Sequence, residues 1–288
     1  MCIRGRFKGD AISTTSELVK ISSDGNLGLE EGQKFERGGI YRFIVDVTKG
    51  NTKAVLTVEK VGKVDLPAPD IFFGNDKMEV TDTDIYKSDQ AFTQGQMITV
   101  TGIDNLNEWW IDPDFFEKQS DGALKFLPIN GDYRVTANAV LKYFSVMALK
   151  DGKPAKLQDD GTGAIWAIGK GIGKPSVASS EVGWEPGKAL CLVQVAPKKY
   201  QLTLKAGETL KTSGDPEVIS FKFFHQNDWG GEFGNYASSI LVEQLKLADS
   251  GNLEMQDNKA FEEGAVYRFT IDVTNGNANA DLKVEKIN

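Results

Sequence analysis

At 288 residues the chain is long for one domain and comfortable for two or three, and 40% hydrophobic with 26% charged residues is enough for ordinary globular cores. The formal charge of −8 disfavours nucleic acid and anionic membrane surfaces, whose phosphates call for clustered lysine and arginine. No apolar run approaches the roughly 20 residues that span a bilayer, no signal-type segment opens the sequence, and Cys2 and Cys191 make at most one bridge.

Taken in chain order, the first informative feature is an internal repeat. Residues 25–60, GNLGLEEGQKFERGGIYRFIVDVTKGNTKAVLTVEK, align without a gap to residues 251–286, GNLEMQDNKAFEEGAVYRFTIDVTNGNANADLKVEK, with about half the positions identical. Each copy reads as a β-hairpin. Tyr-Arg-Phe-x-x-Asp-Val-Thr alternates with period two, x-Gly-Asn turns, and Ala-x-Leu-x-Val-Glu-Lys alternates again. Extending the register backwards sets Ala11 opposite Ala237, Phe7 opposite Phe233, Gly5 opposite Gly231 and Met1 opposite Asn227. Residues 1–63 are therefore expected to form the rear half of a sandwich whose other half lies outside this sequence. The unpaired edge and uncovered apolar face of such a half predict a partner, a homodimer included. The same register argues against Cys2 as a lipid-bearing residue, because it falls inside a domain.

Residues 61–68, VGKVDLPA, read as a linker, and 64–149 as a small all-β sandwich with strand signals at 69–73, 97–101, 123–126, 132–137 and 142–146. Between them the aromatic-rich Asn107–Phe116 stretch reads as a structural loop with a helical turn after Asp112-Pro113. Asp112 and Asp114 have the spacing of calcium ligands, but the other oxygens of a calcium loop are not evident.

A polar bridge at 151–154 leads to the third unit, 150–288, with strands expected at 163–168, 190–195, 199–204 and 219–224 before the repeated hairpin. Lys170 and Lys174 stand among glycines, but Lys174 is followed by Pro175 and not by the Ser or Thr opening a helix that a phosphate loop requires. Trp166 lies in an apolar strand and is assigned to the core. Trp184 sits in the turn-rich Gly183–Gly187.

Residues 221–236, FKFFHQNDWGGEFGNY, begin as an alternating strand and then turn at Asn227. Trp229, Phe233 and Tyr236 place large rings there, with Lys222, His225, Gln226, Asn227, Asp228 and Glu232 around them. A glycine-flanked tryptophan at a strand tip suits stacking on the apolar face of a pyranose. Alternatively the ring folds back and caps the sandwich edge.

The third unit resembles the sandwich modules of the starch-binding outer-membrane lipoproteins of the SusE and SusF type. The resemblance rests on the order of Ile165–Gly169, Gly183-Trp184, the Phe221-Lys222-Phe223 strand with Trp229 beyond it, and a final Gly-x-Tyr-Arg-Phe-x-x-Asp hairpin. It covers 150–288 and, as a rear half, 5–62, while 65–149 resemble the immunoglobulin-like domains that precede such modules. The resemblance implies an all-β tandem sandwich protein of the cell surface, associated with the outer membrane. Such a protein is non-catalytic, needs no cofactor or metal, and holds polysaccharide or oligosaccharide beside a glycan transporter. It carries the glycan site to Trp184 and Trp229, with Lys222 and Lys170 as basic companions; Tyr236, Asn227, Asp228 and Glu232 complete the expected set. No catalytic residue is expected.

Two other functions compete with this one. A glycoside hydrolase needs two carboxylates flanking one bond, and Asp228 with Glu232 or Glu181 with Glu185 qualify only because carboxylates abound. The single histidine, His225, rules out two-imidazole zinc chemistry, and no Gly-x-Ser-x-Gly elbow occurs. A structural or adhesive surface protein would use the same rings for protein contacts.

Overall fold

The computed structural model describes residues 12–22, 25–65, 68–212 and 218–288. The register positions Met1, Gly5, Phe7 and Ala11, and Cys2, lie outside the described residues. Regular structure is strand throughout, apart from single helical turns such as Leu106–Glu108 and Val177–Ser180, so the protein is all-β. No helix among the described residues is long and apolar enough to cross a membrane. The chain divides into two compact units, Met1–Ala68 and Pro69–Asn288.

In the first unit the alternating residues form the expected hairpin, Gly39–Asp46 against Ala54–Lys63, with Tyr41 opposite Lys60 and Asp46 opposite Val55. The strand runs to Lys63, so part of the stretch read as linker is sheet. Ile12–Thr14 adds to Ala54–Leu56 in parallel, and Val19–Ile21 pairs with Leu27–Leu29.

The second unit opens with the 69–157 sandwich. Its largest sheet is built on Gly131–Asn138, which alternates Tyr133, Val135 and Ala137 inward with Arg134 and Thr136 outward. That strand pairs with Tyr143–Lys150 on one side and with Ile85–Phe92 on the other. The inner faces bring Phe73 within 5.4 Å of Phe116 and 5.3 Å of Phe144, the edge-on or tilted geometries aromatic rings prefer. The polar 151–154 stretch is not a spacer. It closes a hairpin in which Leu149 faces Pro154.

The described strands of 158–288 form one continuous sheet that rolls over on itself. Val266–Asp272 and Ser220–Phe224 are separated in the sheet by Lys199–Lys205, Leu190–Ala196 and Ile165–Gly173. A flat sheet would hold them about 19 Å apart at about 4.8 Å per strand. The Phe221 and Phe269 rings are instead 5.6 Å apart, so the two strands face each other across a core. The roll occurs along Leu190–Ala196, which pairs with Ile165–Ala167 through its first half and with Lys199–Gln201 through its second, shifting register near Gln194. Trp166 is buried as expected, its indole N–H donating to Ala155 O at 2.9 Å. The repeated hairpin has the register of its first copy: Tyr267 faces Lys286 and Leu245 faces Met255, as Tyr41 faces Lys60 and Val19 faces Leu29.

The two sandwiches of the second unit share one buried core. At their junction the Lys174 ammonium sits between Asp112, at 2.8 Å to each oxygen, and Asp114 at 3.0 Å, with all three side chains almost fully buried. Asp114 also accepts from Thr203 N and Oγ1, both at 2.6 Å, and from Gln201 Nε2 at 2.7 Å. Burial pushes the Asp114 carboxyl up, but Lys174 and these donors outweigh it and hold it below the carboxylate range; burial pushes Asp112, with fewer donors, up. The two carboxylates weighed as calcium ligands thus take a lysine between them. The helical turn expected after Asp112-Pro113 is present as Phe116 N donating to Asp112 O at 3.0 Å.

Candidate functional site

Ser220–Phe224 carries Phe221 and Phe223 into the core by simple alternation, leaving Lys222 half-buried and directing Phe224 to the other face. Phe224 is nonetheless buried, and its ring meets that of Trp229 in an edge-to-face arrangement with centroids 5.9 Å apart. Beyond Phe224 the chain loops out and returns. His225 N donates to Gly231 O at 2.7 Å and Phe233 N to Phe223 O at 2.9 Å, closing a loop over 225–232. Within it Asp228 Oδ1 accepts from Trp229 N at 2.8 Å, and Gln226 Nε2 donates to Trp229 O at 2.6 Å. Gly230 and Gly231, at φ 87° and 69°, supply the left-handed backbone that returns the chain. Trp229 is held at the apex with 51% of its surface exposed.

Trp184 reaches the same place from the other side of the sheet strand Ile165–Gly173. That strand pairs with Ser220–Phe224 along one edge and, through Gly169 opposite Gly183, with Glu181–Gly183 along the other. A Cβ on Gly169 would lie 2.3 Å from the Phe221 Cα, so only glycine lets the strands approach this closely. The result is that Trp184 and Trp229 lie nearly parallel, ring centres 6.3 Å apart and planes 26° from one another. Trp184 is half-buried against the core and Trp229 outermost.

The other expected site residues distribute unevenly. Lys222, two residues before Phe224, shares its sheet face, and Asn227, Asp228 and Glu232 lie on the loop carrying Trp229, the last two exposed. Burial pushes the His225 imidazole pKa down, with the Glu232 charge opposing it. Tyr236 packs against the core. Its ring stacks on buried Phe233 at 5.8 Å and 8°, and its hydroxyl is buried without a partner, which raises its pKa. Lys170 is exposed, and its charge acts on Glu181: against burial, which raises that carboxyl, Lys211 at 2.8 Å, the Gly171 N–H and the Lys170 charge hold it low. Of the carboxylates considered for hydrolysis, Glu181 pairs with Lys211, Glu185 with Lys188 at 2.9 Å, and Asp228 accepts from the Trp229 backbone.

Both tryptophans are legible in the sequence, whereas the glycine pair that aligns them is not, and Lys174 stands out there only beside glycines that do not make a phosphate loop. Gly169 inside an apolar strand was the available signal, since a strand glycine marks close backbone approach. Residues 3–48 and 160–274 match the model of a domain of unknown function, DUF5121, together more than half of the sequence. The chain belongs to that family. The two DUF5121 segments end at Thr48 and Thr274, equivalent positions of the repeat. Residues 54–157 match a second domain of unknown function, DUF5125. No curated protein matches the chain.

Proposed function

We propose that this DUF5121 protein is a non-catalytic glycan-binding protein of the SusE and SusF type. In this reading it is held at the cell surface on the outer membrane and presents polysaccharide or oligosaccharide to a transporter. The observation that carries the reading is the Trp184–Trp229 pair: two nearly parallel indoles, one half-exposed, with buried Phe224 beside Trp229 and the polar residues Asn227, Asp228 and Glu232 on the loop that carries it. A sugar covering the open face of Trp229 removes a third to a half of an aromatic side chain's surface from water, worth roughly 1.5–3 kcal/mol at about 25 cal/mol per Å². That is much of the roughly −4 kcal/mol corresponding to a Kd near about 1 mM, so one ring sets much of a weak site's affinity.

Affinity electrophoresis through gels containing soluble plant and host polysaccharides tests the reading. Trp229→Ala is expected to weaken retardation about tenfold or more with its thermal midpoint nearly unchanged, and Trp184→Ala somewhat less. If Trp229→Ala instead lowers the midpoint by several degrees and leaves retardation unaltered, the ring is a structural cap and the proposal fails. Reproducible release of reducing ends, lost on Asp228→Ala or Glu232→Ala, would replace binding with hydrolysis.

A further inference from the structure

We infer that the groove between the two sandwiches of the second compact unit is another binding site, built for a neutral oligosaccharide. The choice of ligand class rests on the glycan-binding reading; the groove itself does not. One wall comes from the DUF5125 segment. Along Tyr143–Lys150 the residue Phe144 turns into the core, whereas Tyr143, Ser145, Val146 and Met147 line the groove, the three other than Val146 facing outward. Trp110 lies directly beside Tyr143 in parallel register, giving two adjacent aromatic rings on that wall. Its indole N–H donates to Glu208 Oε1 of the opposite sandwich at 3.2 Å, which restrains the ring plane across the junction.

The opposite wall comes from the DUF5121 segment. Ser179 and Ser180 line it, joined to Ser176 in a chain of hydroxyls at 2.9 and 3.2 Å. Asp112 and Lys174 line the groove as well, where their pairing draws the sandwiches together. The space measures about 620 Å³, inside the roughly 300–1,000 Å³ range of small-molecule sites, which favour the junctions between domains.

Charge selects the ligand. Both cations lining the groove are neutralised within the protein, Lys174 by Asp112 and Asp114 and Lys188 by Glu185. Among the described residues lining the groove no unpaired cation is left to bind a phosphate or carboxylate, and its carboxylates Asp112 and Glu181 are held by Lys174 and Lys211. What remains is a pair of rings on one side and hydroxyls on the other, which matches the apolar faces and hydroxyl edges of linked neutral sugars.

The test is calorimetric titration with maltohexaose, cellohexaose, xylohexaose and mannohexaose, using the full chain carrying Trp184→Ala and Trp229→Ala so that the exposed platform is removed. At least one sugar is expected to bind saturably. Adding Trp110→Ala, or filling the groove with Ser145→Trp, is expected to weaken that binding about tenfold or more. Thermal midpoints recorded in parallel identify any variant that fails to fold, and the other variant then carries the test. If the unmodified chain binds a sugar and the double variant binds none, the groove assignment is overturned while the platform stands. Binding by the double variant that ignores both groove substitutions also overturns it. Absence of binding by the unmodified chain overturns both readings together.

Discussion

The two copies of the repeated hairpin share their local structure and differ in their surroundings. Both place a phenyl against a tyrosine ring at nearly the same distance, Phe35–Tyr41 at 4.7 Å and Phe261–Tyr267 at 4.6 Å. Both cap the turn with an aspartate, Asp46 accepting from Thr48 N at 2.8 Å and Asp272 from Thr274 N at 2.9 Å. Both also tie a glutamate back to a lysine, Glu36 to Lys60 and Glu262 to Lys286. Burial does not repeat. Leu253, Phe261 and Phe269 are 1%, 3% and 0% exposed, whereas Leu27, Phe35 and Phe43 are 40%, 38% and 37% exposed. The C-terminal copy is covered by Lys199–Lys205 along its edge and by Phe221 and Phe223 over its face; among the described residues Gly39–Asp46 pairs only with Ala54–Lys63. Register, turn and ring pair are thus properties of the hairpin's own sequence, and the hydrophobic contribution depends on which strands lie over it.

The largest effect that would test this division is on the buried ring. Phe269→Ala removes a fully buried side chain that touches Phe221 and Phe223, and is expected to cost about 3–5 kcal/mol; Phe43→Ala, at the equivalent position, is expected to cost under about 1 kcal/mol. Chemical denaturation with probes in each compact unit measures both. Equal losses would mean that the Phe43 face is covered in solution, and a doubled mass by sedimentation would identify a second copy as the cover.

Intermediate and equal effects are expected at the turns. Gly50 and Gly276 have φ of 91° and 94°, and a Cβ at either would meet nothing within 4 Å. The penalty for alanine is therefore conformational alone, about 1–2 kcal/mol in each copy. A loss confined to Gly276→Ala would show that the surrounding fold, and not the turn, sets the cost.

The same division explains what the sequence made legible. The hairpins, the strands at 131–138, 143–150, 190–196 and 199–205, and the buried Trp166 follow from period-two patterning and turn residues, which act over a few neighbours. Ile85–Phe92 escaped because Lys87, Ser88, Asp89 and Gln90 dilute its pattern. Its polar residues find partners only after folding, Asp89 with Arg134 at 2.7 Å and Gln90 with Phe73 O at 2.9 Å. At the candidate site each tryptophan was visible singly. Their convergence depends on Gly169 meeting Gly183 across the sheet, and the Asp112–Lys174 contact joins residues far apart in sequence; neither leaves a periodic trace.

The smallest expected effect is electrostatic. Glu36 accepts from Lys60 and from Lys63, the latter at 2.6 Å, and these bonds bring its carboxyl from the ordinary 4.5 down to about 2. A depressed carboxylate stabilises the fold above its unfolded pKa and stops doing so as pH falls from about 4.5 through about 2. The group is solvent-exposed, so water and salt screen the interaction and Glu36→Gln is expected to leave the denaturation midpoint near neutral pH almost unmoved. The charge itself is measurable directly. A side-chain carboxyl NMR titration at low salt is expected to place the Glu36 midpoint clearly below the ordinary carboxylate range. In about 1 M salt, where the screening length falls to about 3 Å, the midpoint should move back toward it. A midpoint at the ordinary value in low salt would mean that the lysines do not hold Glu36 in solution. The local likeness of the two hairpins would then be limited to their rings and turns.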